Sequence, residues 1–455
     1  MINFKKFEKY SRPGPRYTSY PTAPEFNTDF TFNDLKEKFK SQSDDRPLSL
    51  YIHIPFCRTA CYFCGCNVIF TSRDEKKTIY IEYLKKELKI LAQHVNTNRF
   101  VTQMHFGGGT PTYLDPEQLK EVLDSIKETF PNFTDDAEIS CEVDPRYFNQ
   151  GHMDVLKAAG TNRLSFGVQD LDEQVQKTIH RVQAFEMTQD VVTIARKAGI
   201  KSINIDLIYG LPHQTKETFA RTIRDIVKLD PDRLAVFNYA HVPWMMKTQR
   251  KFDETTFAPP STKLEILKDS IEFFGSVGYK MVGMDHFAKP EDELFKAIDK
   301  GELHRNFQGY TTKGGADLIG IGVTSIGDGV DYYVQNFKDL PTYEEIIDKG
   351  ELPVFKGYKL SQDDILRQFV IMELMSNFSL DMKRVEEKFK INFNEYFADA
   401  LKSLEEFVEA ELITITEERI QVSQTGMMLI RNIAMPFDAY LNNIPEDKRR
   451  FSKTI

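Results

Sequence analysis

The sequence has few cysteines, no long apolar run and no excess of positive charge, and each absence excludes a class of protein. Only five cysteines occur in 455 residues, an odd and small number that argues against a disulfide-stabilised secreted domain. No run of about 18 or more apolar residues is present, so no membrane span is predicted. The net charge of -9 argues against a protein that binds nucleic acid through bulk electrostatics.

The bulk composition is that of an ordinary globular protein. Hydrophobic residues make up 41% and charged residues 28% of the chain, and its length allows two or three domains with a sizeable core in the largest. Residues 1–6 are too polar for a secretion signal, so we expect a cytoplasmic protein in a reducing environment.

Four of the five cysteines are crowded into one short segment. Cys57, Cys61, Cys64 and Cys66 have the spacing C-x3-C-x2-C-x-C. A structural zinc site usually takes two separated ligand pairs, and no second pair exists here. A disulfide across so short a loop would strain the bond geometry. The spacing favours a [4Fe-4S] cluster that is held by three thiolates and has one iron without a protein ligand.

An open iron can bind a small chelating molecule. The amine and carboxylate of an amino acid are suitable ligands, and S-adenosylmethionine (SAM) carries both. Electron donation into the sulfonium of SAM breaks a C–S bond and releases a carbon radical. The cysteine spacing therefore predicts radical chemistry with a [4Fe-4S] cluster and SAM as cofactors.

The middle of the chain repeats a strand, a loop and a helix. These units are spaced as expected for parallel strands with helical crossovers, so the sequence predicts an α/β fold with a partial, TIM-like (β/α)6 barrel. The active site of such a barrel lies at the carboxyl ends of the strands. The predicted strands are 50–54, 103–106, 138–143, 163–168, 202–208 and 234–237.

The two ends of the chain differ from the middle. We expect an N-terminal arm over 1–45, a catalytic barrel with an extension over 46–355, and a mainly helical C-terminal domain over 356–455. Residues 412–422 are predicted to form a hairpin, which makes the last domain winged-helix-like. Such folds often bind DNA, but the acidity of the chain favours a packing or lid role instead.

Several polar residues fall at predicted strand ends. Residues 107–109 are three glycines after a strand, which permit close approach of a ligand to the backbone, although a tight turn explains them equally well. Glu142 and Asp206 are candidates for binding an ammonium or a ribose; as isolated carboxylates they would be assigned to salt bridges. Arg181 is a candidate partner for a carboxylate or a solvated surface residue.

Aromatic residues near the cysteines have two interpretations each. Tyr51 and Phe63 flank the cysteine segment and either stack on an adenine or fill core. His53 lies on the same strand face as Tyr51, and a packed, hydrogen-bonded histidine is favoured over a ligand.

Residues 51–66 resemble the radical SAM family of oxygen-independent coproporphyrinogen III oxidases (dehydrogenases). The resemblance covers essentially the whole chain, and the blocks near both ends are specific to this branch. Further similar blocks are 16–22, 106–114, 142–146, 204–212, 238–241, 283–287, 303–312 and 430–438.

The resemblance implies a reaction of porphyrin and haem biosynthesis. Two propionates of coproporphyrinogen III lose their carboxyl groups as carbon dioxide and become vinyl groups, giving protoporphyrinogen IX. A 5′-deoxyadenosyl radical made from SAM would abstract a hydrogen from the propionate β-carbon.

The resemblance also implies site residues. Cys57, Cys61 and Cys64 would bind the cluster, Glu142 would join them in catalysis, and Cys66 would not be a ligand. The family binds two SAM molecules. Matching positions are Tyr51, Gly108, Glu142 and Ile326 around the cluster-bound SAM, and Phe63, Gly109, Thr110, Gln169, Arg181, Asp206 and Ala240 around the second.

Partners follow from the same resemblance. We expect a reductant such as flavodoxin or ferredoxin, no nucleic acid, no membrane and a monomer. The substrate is a tetra-anion, so Arg12, Arg16 and Arg305 are candidate propionate ligands on charge grounds. Two alternatives remain: a haem-binding or trafficking radical SAM-like protein, and a radical SAM methyltransferase that acts on haem.

Overall fold

The computed structural model describes residue 7, residues 9–445, residue 449 and residues 451–454. The polar start of the chain, 1–6, lies outside the described residues. The strands, in chain order, are β1 Leu48–Ile54, β2 Phe56–Cys57, β3 Ile69–Phe70, β4 Val101–Gly108, β5 Phe133–Val143, β6 Arg163–Gln169, β7 Ser202–Tyr209, β8 Arg233–Asn238, β9 Lys280–Val282, β10 His286–Ala288, β11 His304–Asn306, β12 Gly309–Thr311, β13 Asp317–Ile321, β14 Ile326–Asp328, β15 Tyr332–Asn336, β16 Val354–Lys359, β17 Ser379–Asp381, β18 Ile413–Ile415 and β19 Arg419–Val422.

Most of the helices cover the outer face of the main sheet or form the C-terminal region. The helices are α1 Phe32–Ser41, α2 Asp74–Leu91, α3 Pro116–Thr129, α4 Gln150–Ala158, α5 Glu173–Thr178, α6 Phe185–Lys197, α7 Lys216–Val227, α8 Pro260–Ser276, α9 Glu293–Lys300, α10 Leu340–Asp348, α11 Gln362–Asn377, α12 Met382–Phe389, α13 Phe393–Tyr396, α14 Ala398–Glu409, α15 Ile430–Ala434 and α16 Ala439–Asn442. Short 3-10 helices lie at Ala23–Glu25, Pro111–Tyr113, Pro145–Tyr147, Lys247–Lys251, Glu254–Thr256, Gly426–Leu429 and Met435–Phe437. No helix in the described part of the chain has the length and apolar content that crossing a membrane requires.

The main sheet confirms the predicted partial barrel. Strands β1, β4, β5, β6, β7 and β8 lie side by side in that order, and all five pairings between them are parallel. The sheet continues beyond both ends of this set, with β13 to β16 next to β1 and with β10 and β9 next to β8. These outer strands were not predicted, and apart from the parallel β1–β13 pair they join antiparallel.

Side chains along each parallel strand point alternately to the helix-covered face and to the interior of the barrel. In β5, Ile139, Cys141 and Val143 are buried with the hydrophobic core under the helices, because successive side chains of a strand point to opposite faces. The intervening residues, Glu138 and Glu142 among them, line cavities inside the curved sheet. The barrel interior is therefore polar, and its outer face supplies the core.

Local signals fix the crossover helices where the sequence predicts them. Helix α3 begins with a capping box in which the Asp115 carboxylate accepts from the Gln118 N–H at 2.8 Å and the Gln118 side chain accepts from the Asp115 N–H at 3.2 Å. Pro116 occupies the first turn, where its missing N–H costs nothing. Helix α6 ends just before Gly199, whose φ of +80° terminates it.

The N-terminal arm and the C-terminal region share one hydrophobic core. Tyr10, Tyr17 and Tyr20 of the arm are buried in the same cluster as the helices from α11 onwards. The Tyr17 hydroxyl donates to Asp438 at 2.9 Å, and the buried Arg431 donates to the carbonyl of Pro15 at 2.9 Å. The arm is therefore packed onto the C-terminal region.

The C-terminal region is mainly helical, as predicted. The predicted hairpin is present as β18 and β19, and β17 pairs with β19 to complete a three-stranded sheet beside helices α11 to α14. The domain boundaries at 45/46 and 355/356 stay predictions.

Candidate active site

A cavity of about 250 Å³ opens at the carboxyl ends of the parallel strands and gathers most of the predicted site residues. It lies where the loops after β1, β4, β5 and β6 meet the strands β7 and β8, at the end of the barrel where the active site is expected. The predicted residues that line it are Cys57, Cys61, Phe63, Cys64, Gly108, Gly109, Thr110, Glu142, Gln169, Arg181 and Asp206.

Each of the three predicted ligand cysteines is hydrogen-bonded through its sulfur. The Thr110 hydroxyl lies 3.4 Å from Cys57 Sγ, and the Cys66 N–H donates to Cys64 Sγ at 3.4 Å. Cys61 Sγ accepts from two guanidinium groups, Arg146 at 3.7 Å and Arg181 at 3.8 Å. Hydrogen bonds to thiolate ligands tune the potential of an iron–sulfur cluster.

The thiols fit a cluster better than a single ion. Among the described residues, no three His, Cys, Asp or Glu side chains converge as the ligands of one metal ion would. Instead, Cys57, Cys61 and Cys64 line one cavity, together with Cys66. A [4Fe-4S] cluster suits such a lining, because its thiolate ligands bind different irons. Burial raises the pKa of Cys57 to about 12, whereas hydrogen bonds from the Cys66 side chain and then from its backbone N–H lower the pKa of Cys64.

The glycine segment at the carboxyl end of β4 is required for close packing against the cysteine segment. A Cβ on Gly109 would lie 2.7 Å from the carbonyl oxygen of Pro55 and 2.8 Å from that of Phe56. Gly108 has a φ of +114°, and a Cβ there would lie 2.8 Å from the His53 ring. The two glycines thus bring a bare backbone edge to the cavity wall beside the thiols.

Glu142 is held in place and is open to the cavity. Its carboxylate accepts from the Gly108 N–H at 3.3 Å and lies 3.4 Å from His105 Nε2. His105 is itself fixed by Ser140 at 2.6 Å and by stacking on Tyr51. Since 46% of the Glu142 side chain is exposed, the carboxylate is available to a cationic group of a ligand.

Asp206 faces the same cavity from β7. Its carboxylate accepts from the Ser165 hydroxyl at 2.9 Å and from the Asn204 amide at 2.7 Å. Burial raises the pKa of Asp206 to about 6, because the interior disfavours the charged form. The side-chain amide oxygen of Asn204 is buried without a partner among the described residues, so this corner retains hydrogen-bonding capacity for a ligand.

Two residues that were not predicted complete the wall around Cys61. One oxygen of Asp144 accepts from Arg146 at 2.7 Å and from Arg181 at 2.8 Å. Although burial alone would raise the pKa of Asp144, the two guanidinium groups hold it below its usual range. Asp144 and Arg146 continue the every-second-residue polar pattern that starts at Glu142, which is the signal that could have identified them.

Most of the hydrogen-bond donors of the Arg181 guanidinium are already used within the protein. Arg181 also donates to the carbonyl of Gly167 at 2.5 Å, and its buried Nε has no partner in the part of the chain that the structure describes. Gln169 ends β6 with a φ of +72°, so the chain turns sharply at the cavity wall.

Tyr51, Ala240 and Ile326 do not line this cavity. The Tyr51 hydroxyl lies 3.0 Å from His53 Nδ1, and its ring stacks on His105. Ala240 is tied to the cysteine segment, because the Gln249 amide donates both to its carbonyl at 3.3 Å and to that of Phe63 at 3.1 Å. Ile326 begins β14 next to β13.

His53 is a packed, hydrogen-bonded histidine, as predicted. It is buried between the Tyr51 hydroxyl and the carbonyl of Asn67 at 3.1 Å. Burial lowers the pKa of His53 to about 4, which keeps the ring neutral at physiological pH.

A second cavity of about 330 Å³ lies behind the first and shares a wall with it. The side chains common to both cavities are Glu142, Ser165, Asp206 and Phe237. Ion pairs close its floor, with Arg163 2.7 Å from Glu138 and Arg233 2.7 Å from Asp292.

Among the described residues, one arginine of the second cavity has no carboxylate partner. In the described part of the chain Arg305 forms no ion pair; it donates to the Tyr310 hydroxyl at 2.7 Å and its Nε is buried without a partner. The other two arginines predicted to bind propionates lie elsewhere. Arg12 pairs with Glu406 at 3.5 Å, and Arg16 donates to the carbonyl of Asn238 at 3.0 Å, so neither lines this cavity.

Comparison with family profiles identifies two regions. Residues 51–226 match the Radical SAM superfamily, and residues 360–429 match the HemN C-terminal domain. The first match contains the cysteine segment and the strand ends around the first cavity. The second covers helices α11 to α14 and the small C-terminal sheet.

The similarity to individual relatives extends along nearly the whole chain. An "Oxygen-independent coproporphyrinogen III oxidase" of Helicobacter pylori strain J99 is 57% identical over 100% of this chain and 99% of its own length. A protein of the same name from Escherichia coli K12 is 45% identical over 98% of this chain and 97% of its own. The structure of "Coproporphyrinogen III oxidase (HemN) from Escherichia coli" superposes with a TM-score of 0.91, at 45% identity, covering 96% of this chain and 99% of that one.

Proposed function

The chain belongs to the family of oxygen-independent coproporphyrinogen III oxidases, radical SAM enzymes, and we propose that the two cavities at its strand ends are where it carries out their reaction. The reaction is the oxidative decarboxylation of two propionates of coproporphyrinogen III, which gives the two vinyl groups of protoporphyrinogen IX. The cofactors are a [4Fe-4S] cluster and SAM. The observation that carries the proposal is the convergence of three separate thiols, a bare glycine edge and two carboxylates on one cavity.

The first cavity is the cofactor site. Cys57, Cys61 and Cys64 hold the cluster, which supplies the electron that cleaves SAM reductively. Glu142, whose carboxylate accepts from the Gly108 N–H, would also accept a hydrogen bond from the ammonium of the SAM bound at the cluster. Glu142 is suited to bind an ammonium because its carboxylate is partly exposed to the cavity and is held in position by the hydrogen bond from the Gly108 N–H.

Two further groups of residues are assigned by family resemblance. Tyr51 and Ile326 support the cluster-bound SAM; Tyr51 acts through His105, on which it stacks. The second SAM is assigned to Asp206, whose position suits a ribose hydroxyl, and to Arg181, whose free Nε suits a carboxylate. The remaining residues of the second SAM site are Phe63, Gly109, Thr110, Gln169 and Ala240.

The second cavity is the substrate site. The substrate carries four propionates, and Arg305 is the arginine of the cavity without a carboxylate partner among the described residues. A guanidinium with an unpartnered, buried nitrogen gains a strong charge-assisted bond from a carboxylate. We assign Arg305 to one propionate of coproporphyrinogen III.

The N-terminal arm covers this site. Thr18 lines the second cavity, and Arg16 binds the carbonyl of Asn238 at the end of β8. Because the arm packs onto the C-terminal region, we assign the 1–45 arm and the 356–455 domain the role of excluding water from the 46–355 barrel. We place the enzyme in the cytoplasm, which suits five free cysteines, and expect a monomer that receives electrons from a flavodoxin or ferredoxin.

The test is an anaerobic assay of protein reconstituted with iron and sulfide, given SAM, coproporphyrinogen III and a strong reductant. We expect released carbon dioxide and vinyl products, with neither from Cys57→Ala protein purified and folded in parallel. Haem binding without turnover would support a haem-trafficking protein, and an opened macrocycle would support a methyltransferase that acts on haem. Either result would overturn the proposal.

A further inference from the structure

We propose that an exposed patch beside the cysteine segment is the docking surface for an acidic one-electron carrier protein. The basic–apolar patch consists of Trp244, Met245, Lys247, Arg250 and Lys251. The inference rests on the proposed function, because only a redox cluster beneath this surface needs an electron from outside. The carrier loses one electron and the cluster gains it, and no bond or proton is exchanged.

The patch is fixed directly against the segment between two cluster ligands. Gln249, only 1% exposed, lies inside the 3-10 helix Lys247–Lys251 and donates to the carbonyl of Phe63 at 3.1 Å. Lys251 donates to the Tyr62 hydroxyl at 3.2 Å and lies over its ring at 4.4 Å. Tyr62 and Phe63 separate Cys61 from Cys64, so the patch is one layer of side chains from the predicted cluster.

The apolar part of the patch has the composition of an interface. Trp244, the single tryptophan of the chain, is 55% exposed, and the adjacent Met245 is 67% exposed. Tryptophan, methionine and arginine are enriched where proteins bind one another, and exposing two large apolar side chains side by side costs free energy in water. Burial of Trp244 and Met245 against a docked partner would explain both their residue types and their exposure.

The charge of the patch is opposite to that of the chain as a whole. The chain carries a net charge of -9, yet Lys247, Arg250 and Lys251 form no ion pair within the described residues. Arg250 donates to the carbonyl of Pro243 at 2.8 Å, so it binds a neutral oxygen, as Lys251 does. Acidic residues follow at 253–254, where the Asp253 carboxylate accepts from the Thr255 N–H at 3.0 Å and Glu254 lies 3.2 Å from His241. A local cationic surface on an acidic protein selects an acidic partner and accelerates its association.

The anionic substrate is the competing occupant, and the geometry argues against it. None of the five patch residues lines either of the two cavities at the strand ends. A porphyrinogen on the patch would therefore lie outside the site where its propionates must react. A protein carrier has no need to enter a cavity, because it has only to bring its redox centre close to the cluster.

The test compares two charge-reversal variants with the same change in net charge. Lys247→Glu with Arg250→Glu alters the patch. Lys157→Glu with Lys197→Glu is the control, since both residues are exposed and lie in the last turns of α4 and α6, at the opposite end of the barrel. Reduced and oxidised flavodoxin are the probes, with dithionite as a small reductant that needs no docking.

We expect the patch variant to bind flavodoxin about tenfold more weakly at low salt, with a shallower salt dependence, and to lose flavodoxin-driven SAM cleavage to a similar degree. Its dithionite-driven cleavage and its KM for coproporphyrinogen III should match wild type, and the control should match wild type throughout. Trp244→Ala with Met245→Ala should weaken binding about tenfold without changing the salt dependence.

Equal effects of both charge reversals, or no salt-sensitive binding of flavodoxin by wild type, would overturn the proposal. A raised KM for coproporphyrinogen III in the dithionite-driven reaction would assign the patch to the substrate instead. Failure of the proposed function looks different, because wild type would then lack dithionite-driven SAM cleavage altogether.

Discussion

The two cavities at the strand ends share Glu142 and Asp206 but are otherwise lined by different kinds of residue. The first is lined by four thiols from one short segment, three of them the predicted cluster ligands, and by backbone edges; the ion pairs of Asp144 with Arg146 and Arg181 support its wall. The second is lined by polar side chains from alternate positions of many strands, with an ion-paired floor. The first therefore suits a fixed inorganic group and the second a large polar ligand. The difference predicts that substitutions in the two cavities fail in different ways.

The largest effect is expected at the cysteines. Cys57→Ala removes one of three ligands, so we expect loss of the cluster and of all SAM cleavage. Cys66→Ala is the matched control, because Cys66 is not a predicted ligand: the substitution removes its side-chain contact with Cys64 but keeps the hydrogen bond from its backbone N–H to Cys64 Sγ. Iron content and the visible and EPR spectra of reconstituted protein check this. Equal loss of the cluster in both variants would make Cys66 a ligand.

Glu142→Gln tests the wall that both cavities share. Removing the charge weakens binding of the SAM ammonium, so we expect SAM cleavage to fall by about 10² to 10³ with the cluster intact. SAM-induced change in the cluster EPR spectrum reports binding separately from turnover. Glu138→Gln is the control, because Glu138 pairs with Arg163 on the floor, and its loss should lower Tm while leaving SAM affinity unchanged.

Arg305→Gln tests the second cavity alone. We expect KM for coproporphyrinogen III to rise about 10- to 100-fold, as for loss of a charge-assisted hydrogen bond, while SAM cleavage without substrate is unaffected. Arg12→Gln should leave KM unchanged, since Arg12 pairs with Glu406 away from the cavity. An unchanged KM in the Arg305 variant would remove this arginine from the substrate site.

The smallest effect is a pH-dependent difference between two buried carboxylates. Burial raises the pKa of Asp206 to about 6, above its usual value, so its contribution to stability falls as pH rises between about 4 and 6. Asp285 differs: burial would raise its pKa, but His286 at 2.7 Å lowers it to about 2, so its contribution is retained above about pH 4 and lost as pH falls towards 2.

Asp206→Asn should therefore raise Tm at pH 8 by a few degrees and lose that gain by about pH 4, whereas Asp285→Asn should lower Tm at pH 8. Thermal melts of the two variants and wild type across this range check both signs. The stabilised Asp206 variant should nevertheless cleave SAM more slowly, which would identify its charge as functional. Melting curves of the same sign at pH 8 would contradict the assignment of the two environments.

The sequence predicted the first cavity far better than the second. Its signals are local, and each is readable within a few residues. They are the cysteine spacing, the glycines at the end of β4 and the carboxylates in the carboxyl-terminal halves of β5 and β7. The six parallel strands were found for the same reason, with ends within a few residues of those observed in most cases. The second cavity depends on long-range register, which brings Arg305 to the inner face of the barrel strands, and no local pattern encodes that.

The parts of the fold that were not predicted have a common physical cause. Strands such as β9, β10 and β14 have three residues each, too few for an alternating pattern to be recognised. The arm was predicted as a separate segment, but its tyrosines complete the C-terminal core across more than 350 residues of chain. Only tertiary packing determines such contacts.

Cleavage of SAM by this protein depends on a cluster that has one iron open to SAM, and one measurement tests this most directly. Anaerobically reconstituted, dithionite-reduced protein is incubated with SAM, and 5′-deoxyadenosine is quantified together with the SAM-induced change in the EPR spectrum. The account predicts product and a shifted spectrum for wild type, and neither for Cys57→Ala, Cys61→Ala or Cys64→Ala. A wild-type protein that assembles no cluster, or whose reduced cluster neither shifts with SAM nor cleaves it, would contradict it.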